Sequence, residues 1–167
     1  MSKVYLALYK GRKQIKSPKD LIYRCIDWAI RKATRGEYSH CEIAVSLPNG
    51  QFDCYTSSHR DGGVRCKRME LPSDKWDLIE LPKPNLTYGR AMKLWRETKG
   101  KKYDLSGVLA VKSVFRRLKI RQSPNKWFCS EWCAAVIGFG EPSKYSPSDL
   151  AAAIDRKSTR LNSSHRL

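Results

Sequence analysis

Two residues in this sequence have the types that nucleophilic catalysis needs, in local contexts that suit the task. Cys129 follows the turn signal Ser123-Pro124-Asn125 and opens the apolar stretch FCSEWCAAVIGFG, in which Trp132, Ala135 or Val136, and Phe139 recur at helical spacing. A cysteine at a helix start meets unsatisfied backbone N–H groups and the positive end of the helix dipole, and both favour the thiolate. The same N–H groups can face the oxyanion formed when that thiolate attacks a carbonyl. His40 has the ordinary pKa of a general base. It lies in SHCEIAV, where a period of two puts His40, Glu42 and Ala44 on one strand face and Cys41, Ile43 and Val45 on the other. Glu42 is thereby the candidate carboxylate to balance an imidazolium at His40. Cys129 and Cys133 at i, i+4, taken with His40, raise the alternative of a zinc site. The close CxxC pairs that make such a site convincing are absent, and no metal or cofactor is expected.

Several elements must position these groups. VYLALY reads as a strand. Ser17-Pro18-Lys19-Asp20 supplies an N-cap, a first-turn proline and an acid, and Ile22, Ile26, Ala29 or Ile30, and Ala33 follow at helical spacing, so an amphipathic helix is expected up to Gly36. Pro48-Asn49-Gly50 is a hairpin signal. A two-residue Asn-Gly turn would set Ser57 opposite Glu42 and His59 opposite His40, with Asp61 of the following Arg60-Asp61-Gly62-Gly63 turn at the cleft rim. GGVRCKRMEL and WDLIELP read as further strands, and Tyr88 to Thr98 as a second helix ending near Gly100. A mixed segment allows a helix around Leu105 to Leu118. Ser146-Pro147-Ser148-Asp149 repeats the N-cap signature and starts a last helix. Strands in a meander with helices grouped before and after them predict an α+β layer architecture.

The chain has 167 residues, enough for one domain with a hydrophobic core, and no repeat or linker divides it before about residue 155. The expected domain is therefore 1–155. Residues 156–167 lack an apolar period, and KSTRLNSSH resembles translated sequencing-adapter read-through, so a tail without structure is expected there, either non-native or frayed. With 41% hydrophobic and 29% charged residues, composition argues against disorder, and no stretch approaches the roughly 20 apolar residues of a membrane span. The start lacks the features of a secretory signal, so the expected location is cytoplasmic and the six cysteines are expected to be reduced. A formal charge of +17 favours polyanionic partners, although Lys and Arg are spread along the chain. Lys10-Gly11-Arg12-Lys13 and Phe115-Arg116-Arg117 are either phosphate-binding stretches or solvated faces.

Taken in order, YSHCEIAV, CYTSSHRDGGVRCK, KYDLSG, WFCSEWCAAVIG and YSPSDL resemble the motif series of the circularly permuted NlpC-like hydrolases, a bacterial and phage-rich group. The resemblance spans roughly residues 3 to 155. It implies a papain-like NlpC-type fold in permuted order, with an antiparallel sheet packed against helices, and His40 comes about ninety residues before Cys129 as that order requires. It implies Cys129 as nucleophile and His40 as base. The third position does not transfer cleanly: the matching region offers Ser57, Ser58 and His59, of which Ser57 can orient the imidazole without balancing its charge. Tyr103, from the string before the cysteine helix, is implied to line the site or hydrogen-bond the substrate, and His59 and Asp61 lie in the region expected to meet it. The function implied is a cysteine hydrolase of amide or ester bonds, acting on a peptide, a peptidoglycan fragment or another acyl substrate. Acyl transfer or lipid-ester chemistry, as in relatives of lecithin retinol acyltransferase, is one alternative. A basic nucleic-acid- or protein-binding module with a degenerate site is the other.

Overall fold

Hydrophobic alternation in VYLALY and HCEIAVS produces the centre of the molecule, two long strands buried on both faces. The protein is described from a computed structural model, which covers residues 2–12, 14–105 and 125–164, with the side chains of the last helix described to Arg156. The expected helix beyond Leu105, Phe115-Arg116-Arg117, Ser123, Pro124, Lys13 and His165 lie outside the described residues.

Strand β1 (Val4–Tyr9) pairs antiparallel with β2 (His40–Ser46), bringing Leu6 opposite Ile43, Leu8 opposite Cys41 and Tyr9 opposite His40. Strands β3 (Phe52–Ser58) and β4 (Gly63–Met69) extend the sheet beyond β2, and β5 (Trp76–Glu80) lies on the far side of β1. Two short strands, β6 (Lys102–Tyr103) and β7 (Lys126–Trp127), complete the order β5-β1-β2-β3-β4-β6-β7. The last two run parallel to each other; every other pairing is antiparallel.

Helix α1 (Pro18–Thr34) follows β1, α2 (Pro84–Thr98) follows β5, and α3 (Cys129–Ile137) and α4 (Pro147–Ser164) end the chain. The main core lies where Leu6, Leu8, Cys41 and Ile43 of the sheet meet Trp132, Cys133 and Val136 of α3 and Leu150 and Ile154 of α4. Each fully buried aliphatic side chain contributes about 1.5–3 kcal/mol, so this contact fixes α3 firmly against β2. The architecture is α+β, with a mainly antiparallel sheet carrying helices. Caps are where the sequence puts them: Ser17 Oγ accepts from Asp20 N at 3.3 Å, and Ser146 exchanges two backbone–side-chain bonds with Asp149 at 3.1 and 3.2 Å.

Three expectations need correction. The β2–β3 hairpin pairs Ile43 with Tyr55 and Ala44 with Cys54, one residue out of the expected register. A two-residue Asn-Gly turn would have required a backbone N–H from Pro48, which has none. The loop instead takes in Pro48, Asn49 and Gly50, closed by Leu47 N to Gln51 O at 2.9 Å, with Gly50 at φ 78°. Ser57 therefore shares the face of Tyr55 and Ile43, and does not lie opposite Glu42. Helix α1 is also turned from its expected face. Asp20, Asp27, Ile30 and Thr34 are buried, whereas Ile22 is 59% exposed and Trp28 62% exposed. Finally, the α4 backbone stays helical to Ser164, past Asp155 where apolar spacing stops. Residues 156–164 hold no proline or glycine to end a helix, and propagation of a nucleated helix is inexpensive.

Candidate active site

Cys129 is the first residue of α3. The preceding Phe128 is extended (φ −105°, ψ 163°) and fully buried, and its N–H reaches Glu131 Oε2 at 3.4 Å. The chain arrives there from β7, whose Trp127 carbonyl accepts a 2.7 Å hydrogen bond from Ser57 Oγ. Ser57, expected to orient His40, instead anchors the backbone two residues before the cysteine. Since α3 packs against β2, the Cys129 thiol adjoins the first residues of that strand, and both Cys41 and His40 act on it.

The electrostatics of this junction are one-sided. The Cys41 side chain beside it and the His40 charge hold the Cys129 pKa well below the usual thiol value, against the opposing effect of burial. Burial also opposes a charge on His40, yet the Cys129 thiolate and Glu42 together raise the imidazole to about 10. The two shifts agree in direction, each group favouring the charged form of the other. Cys41 moves the other way: burial, with Cys129 and Cys133 beside it, pushes its pKa well up and keeps it a neutral thiol.

His40 Nε2 stands 3.0 Å from Glu42 Oε1. Because an ionised carboxylate only accepts, Nε2 carries a proton and Nδ1 is left to exchange one with sulfur. Nδ1 is buried and has no nitrogen or oxygen partner among the described residues, which fits that role. Glu42 is 1% exposed, and its charge is matched by Arg65, whose Nη2 and Nη1 donate to Oε1 at 2.8 Å and Oε2 at 2.9 Å. Although burial alone would raise its pKa, His40 and Arg65 bring Glu42 down to about 2. Arg65 in turn donates through Nε to Asp61 Oδ2 at 2.9 Å and through Nη1 to the Cys54 carbonyl at 3.0 Å. Cys129, His40, Glu42, Arg65 and Asp61 thus form one chain of alternating charge across α3, β2, β4 and the β3–β4 turn.

Among the other expected residues, Tyr103 sits on β6 with its hydroxyl buried and without a hydrogen-bond partner among the described residues. Burial and the nearby Cys129 raise its pKa well above 10, so it stays a protonated donor. His59 lies between the rings of Tyr23 (5.7 Å) and Tyr103 (5.6 Å), with Nε2 3.7 Å from Asp27 Oδ1. Burial and the charge of His40 lower it to about 4, so it is neutral where His40 is charged. A cleft of about 330 Å³ has His40, Glu42, His59, Asp61, Tyr9 and Trp76 among its walls. Trp76 packs edge-on to the imidazole at 6.3 Å. Cys129 itself is fully buried, so the imidazole, not the sulfur, is the member of the pair that meets the cleft.

Asp27, Arg60, Arg65 and Cys41 belong to this neighbourhood and were not singled out from sequence. Arg65 had a signal, since alternation along β4 and the antiparallel pairing place it opposite Thr56, on the same face as Glu42. Asp27 had none: it is an acid inside a helical period, buried with Arg60 as its ion-pair partner. Among the described residues no group of His, Cys, Asp and Glu is arranged to hold a metal ion. In comparisons with known proteins, no family model, curated protein or solved structure matches this chain.

Proposed function

We propose that this protein is a cysteine-dependent hydrolase of an amide or ester bond, built on a permuted papain-like domain. The observation that carries the proposal is the junction of the buried Cys129 thiol with His40, whose imidazole is fixed from behind by Glu42, itself held by Arg65, and whose charge favours the thiolate. A structural cysteine needs no such partner, and a structural histidine is not usually left with one ring nitrogen unpaired in a core.

The steps follow from the atoms. An acyl group that enters from the cleft past His40 reaches the buried Cys129 Sγ, which attacks its carbonyl carbon as the carbonyl π electrons move to oxygen. The first-turn N–H groups of α3 and the Tyr103 hydroxyl are the available donors to that oxyanion. Collapse of the tetrahedral species breaks the bond to the leaving amine or alcohol, which takes the proton from His40 Nδ1. Water then gives its proton to Nδ1 and attacks the thioester, releasing the acid and restoring the pair. Glu42 keeps the proton of His40 on Nε2 throughout and stabilises the charged ring without accepting the proton. Support for the permuted order comes from the strand bearing His40, which precedes the Cys129 helix in the chain and packs against it.

The test is labelling with a panel of electrophilic acyl probes, read by mass spectrometry for the modified residue and for turnover of the adduct. Acylation at Cys129 that is released by water, and is lost in both Cys129→Ala and His40→Ala, is the expected result. Full turnover in either variant, or acylation at Cys25 or Cys66 instead, refutes it.

A further inference from the structure

Helix α1 buries Asp20, Asp27 and Thr34 beside Ile30 and leaves large apolar side chains outside. Leu21 is 51% exposed, Ile22 59% and Trp28 62%, and Ile15, just before the helix, is 48% exposed. At 100° per residue, Leu21 and Trp28 fall within about 20° of each other and Ile22 about 100° from Leu21, so the three share the outer half of the helix. Along one border runs a groove of about 630 Å³ lined by Arg12, Arg24, Arg31, Lys32 and Arg35. Arg31 is occupied, donating to Gly11 O at 2.8 Å and Ser39 Oγ at 3.3 Å. The other four have no carboxylate partner among the described residues. The acid in the groove, Asp27, is committed to Arg60.

We infer that the outer face of α1 docks on an anionic membrane surface, with Leu21, Ile22 and Trp28 entering the headgroup–acyl boundary and the groove taking lipid phosphates. The two halves of the observation require each other. Like cations crowded along one groove without counter-charges are costly unless an anion supplies them. Exposed aliphatics beside them gain only from a partner that is apolar just beneath its charge, and an anionic bilayer is layered in that order. A single-stranded nucleic acid would be held by cations and stacking rings; Trp28 suits it, but Leu21 and Ile22 offer no stacking plane. The inference is independent of the thiol site: of the groove residues named, Asp27 borders that site through His59, and Asp27 takes no part in the docking.

Co-sedimentation with vesicles tests it. The full chain is expected to bind phosphatidylcholine–phosphatidylglycerol vesicles and not phosphatidylcholine alone, with a blue shift in tryptophan emission that Trp28→Phe removes. Leu21→Ser/Ile22→Ser should weaken binding about tenfold, and each of Arg24→Gln and Arg35→Gln roughly fivefold. These side chains are exposed, so unchanged circular dichroism and unchanged probe labelling of Cys129 should confirm that the fold and the thiol site are intact. Equal binding to both vesicle types would overturn the inference. So would undiminished binding by Leu21→Ser/Ile22→Ser, or tighter binding to a single-stranded oligonucleotide that this double variant retains.

Discussion

Replacing Glu42 by Gln removes one negative charge and leaves the size and shape of the side chain nearly unchanged. In the native protein the carboxylate accepts from His40 Nε2 at 3.0 Å and from Arg65 at 2.8 and 2.9 Å, so either orientation of a Gln amide points an NH2 group at an Arg65 donor. The favoured orientation keeps the amide oxygen where it serves both His40 and Arg65, and turns the NH2 toward Arg65 Nη1. The cost can be worked from the shift. Glu42 moves from 4.5 to about 2, and at 1.36 kcal/mol per pKa unit that is about 3 kcal/mol of stability. A loss of about 3–5 kcal/mol is also what removing one partner of a buried pair produces. The sign fixes where it appears. A depressed carboxyl contributes in full above its unfolded value, and the contribution fades as pH falls from about 4.5 toward 2. Urea unfolding of wild type and Glu42→Gln should therefore differ by about 3 kcal/mol near pH 6, with the gap closing as the pH approaches about 2. A gap that is absent, or that stays constant across the acid range, would refute an ionised Glu42 between His40 and Arg65.

The alkylation rate of Cys129 should hold up at pH values where a free thiol is already losing reactivity, because its pKa lies well below 9; parallel labelling of a cysteine-containing tripeptide supplies the reference curve. Turnover should fall as pH rises through about 10, where His40 loses the proton that the leaving group needs, and a pH–rate profile checks this. Ser57→Ala should cost about 1 kcal/mol through the lost bond to the Trp127 carbonyl while leaving the NMR-measured pKa of His40 in place, since Ser57 does not touch the ring. Gly63→Ala should cost about 3 kcal/mol or more by denaturant unfolding, because its Cβ would stand 1.9 Å from the Lys101 carbonyl oxygen and force β4 away from β6.

Local patterns made much of this molecule legible. Alternation in HCEIAVS put His40 and Glu42 on one face, and their contact at 3.0 Å follows from that period alone. The helix start at Cys129 and the caps at Ser17 and Ser146 were equally local. What escaped depended on one small term or on distant partners. The missing N–H of Pro48 moved the β3 register by one residue and took Ser57 to the opposite face, where it holds Trp127. The face of α1 was misassigned because spacing identifies a stripe of isoleucines without saying what lies under it. The layer beneath holds Arg60 and His59, so Asp27 turned inward and Ile22 outward. Alternation along β4 put Arg65 on the Glu42 face once the β3–β4 pairing was known, whereas Asp27 reaches the site from α1, where no periodicity could report it.

The order of elements along the chain also sets a schedule. β2, β3 and β4 are neighbours in sequence as well as in space, so His40, Glu42 and Arg65 can assemble from local hairpins as soon as residues up to 69 have left the ribosome. Cys129 arrives long afterwards, on a helix whose packing against β2 closes loops far longer than any hairpin. Until then its sulfur is an ordinary thiol with a pKa near 8.5, mostly protonated at neutral pH. The lowering of its pKa therefore comes late in folding, and a chain cut short before α3 carries His40, Glu42 and Arg65 without the thiol they face.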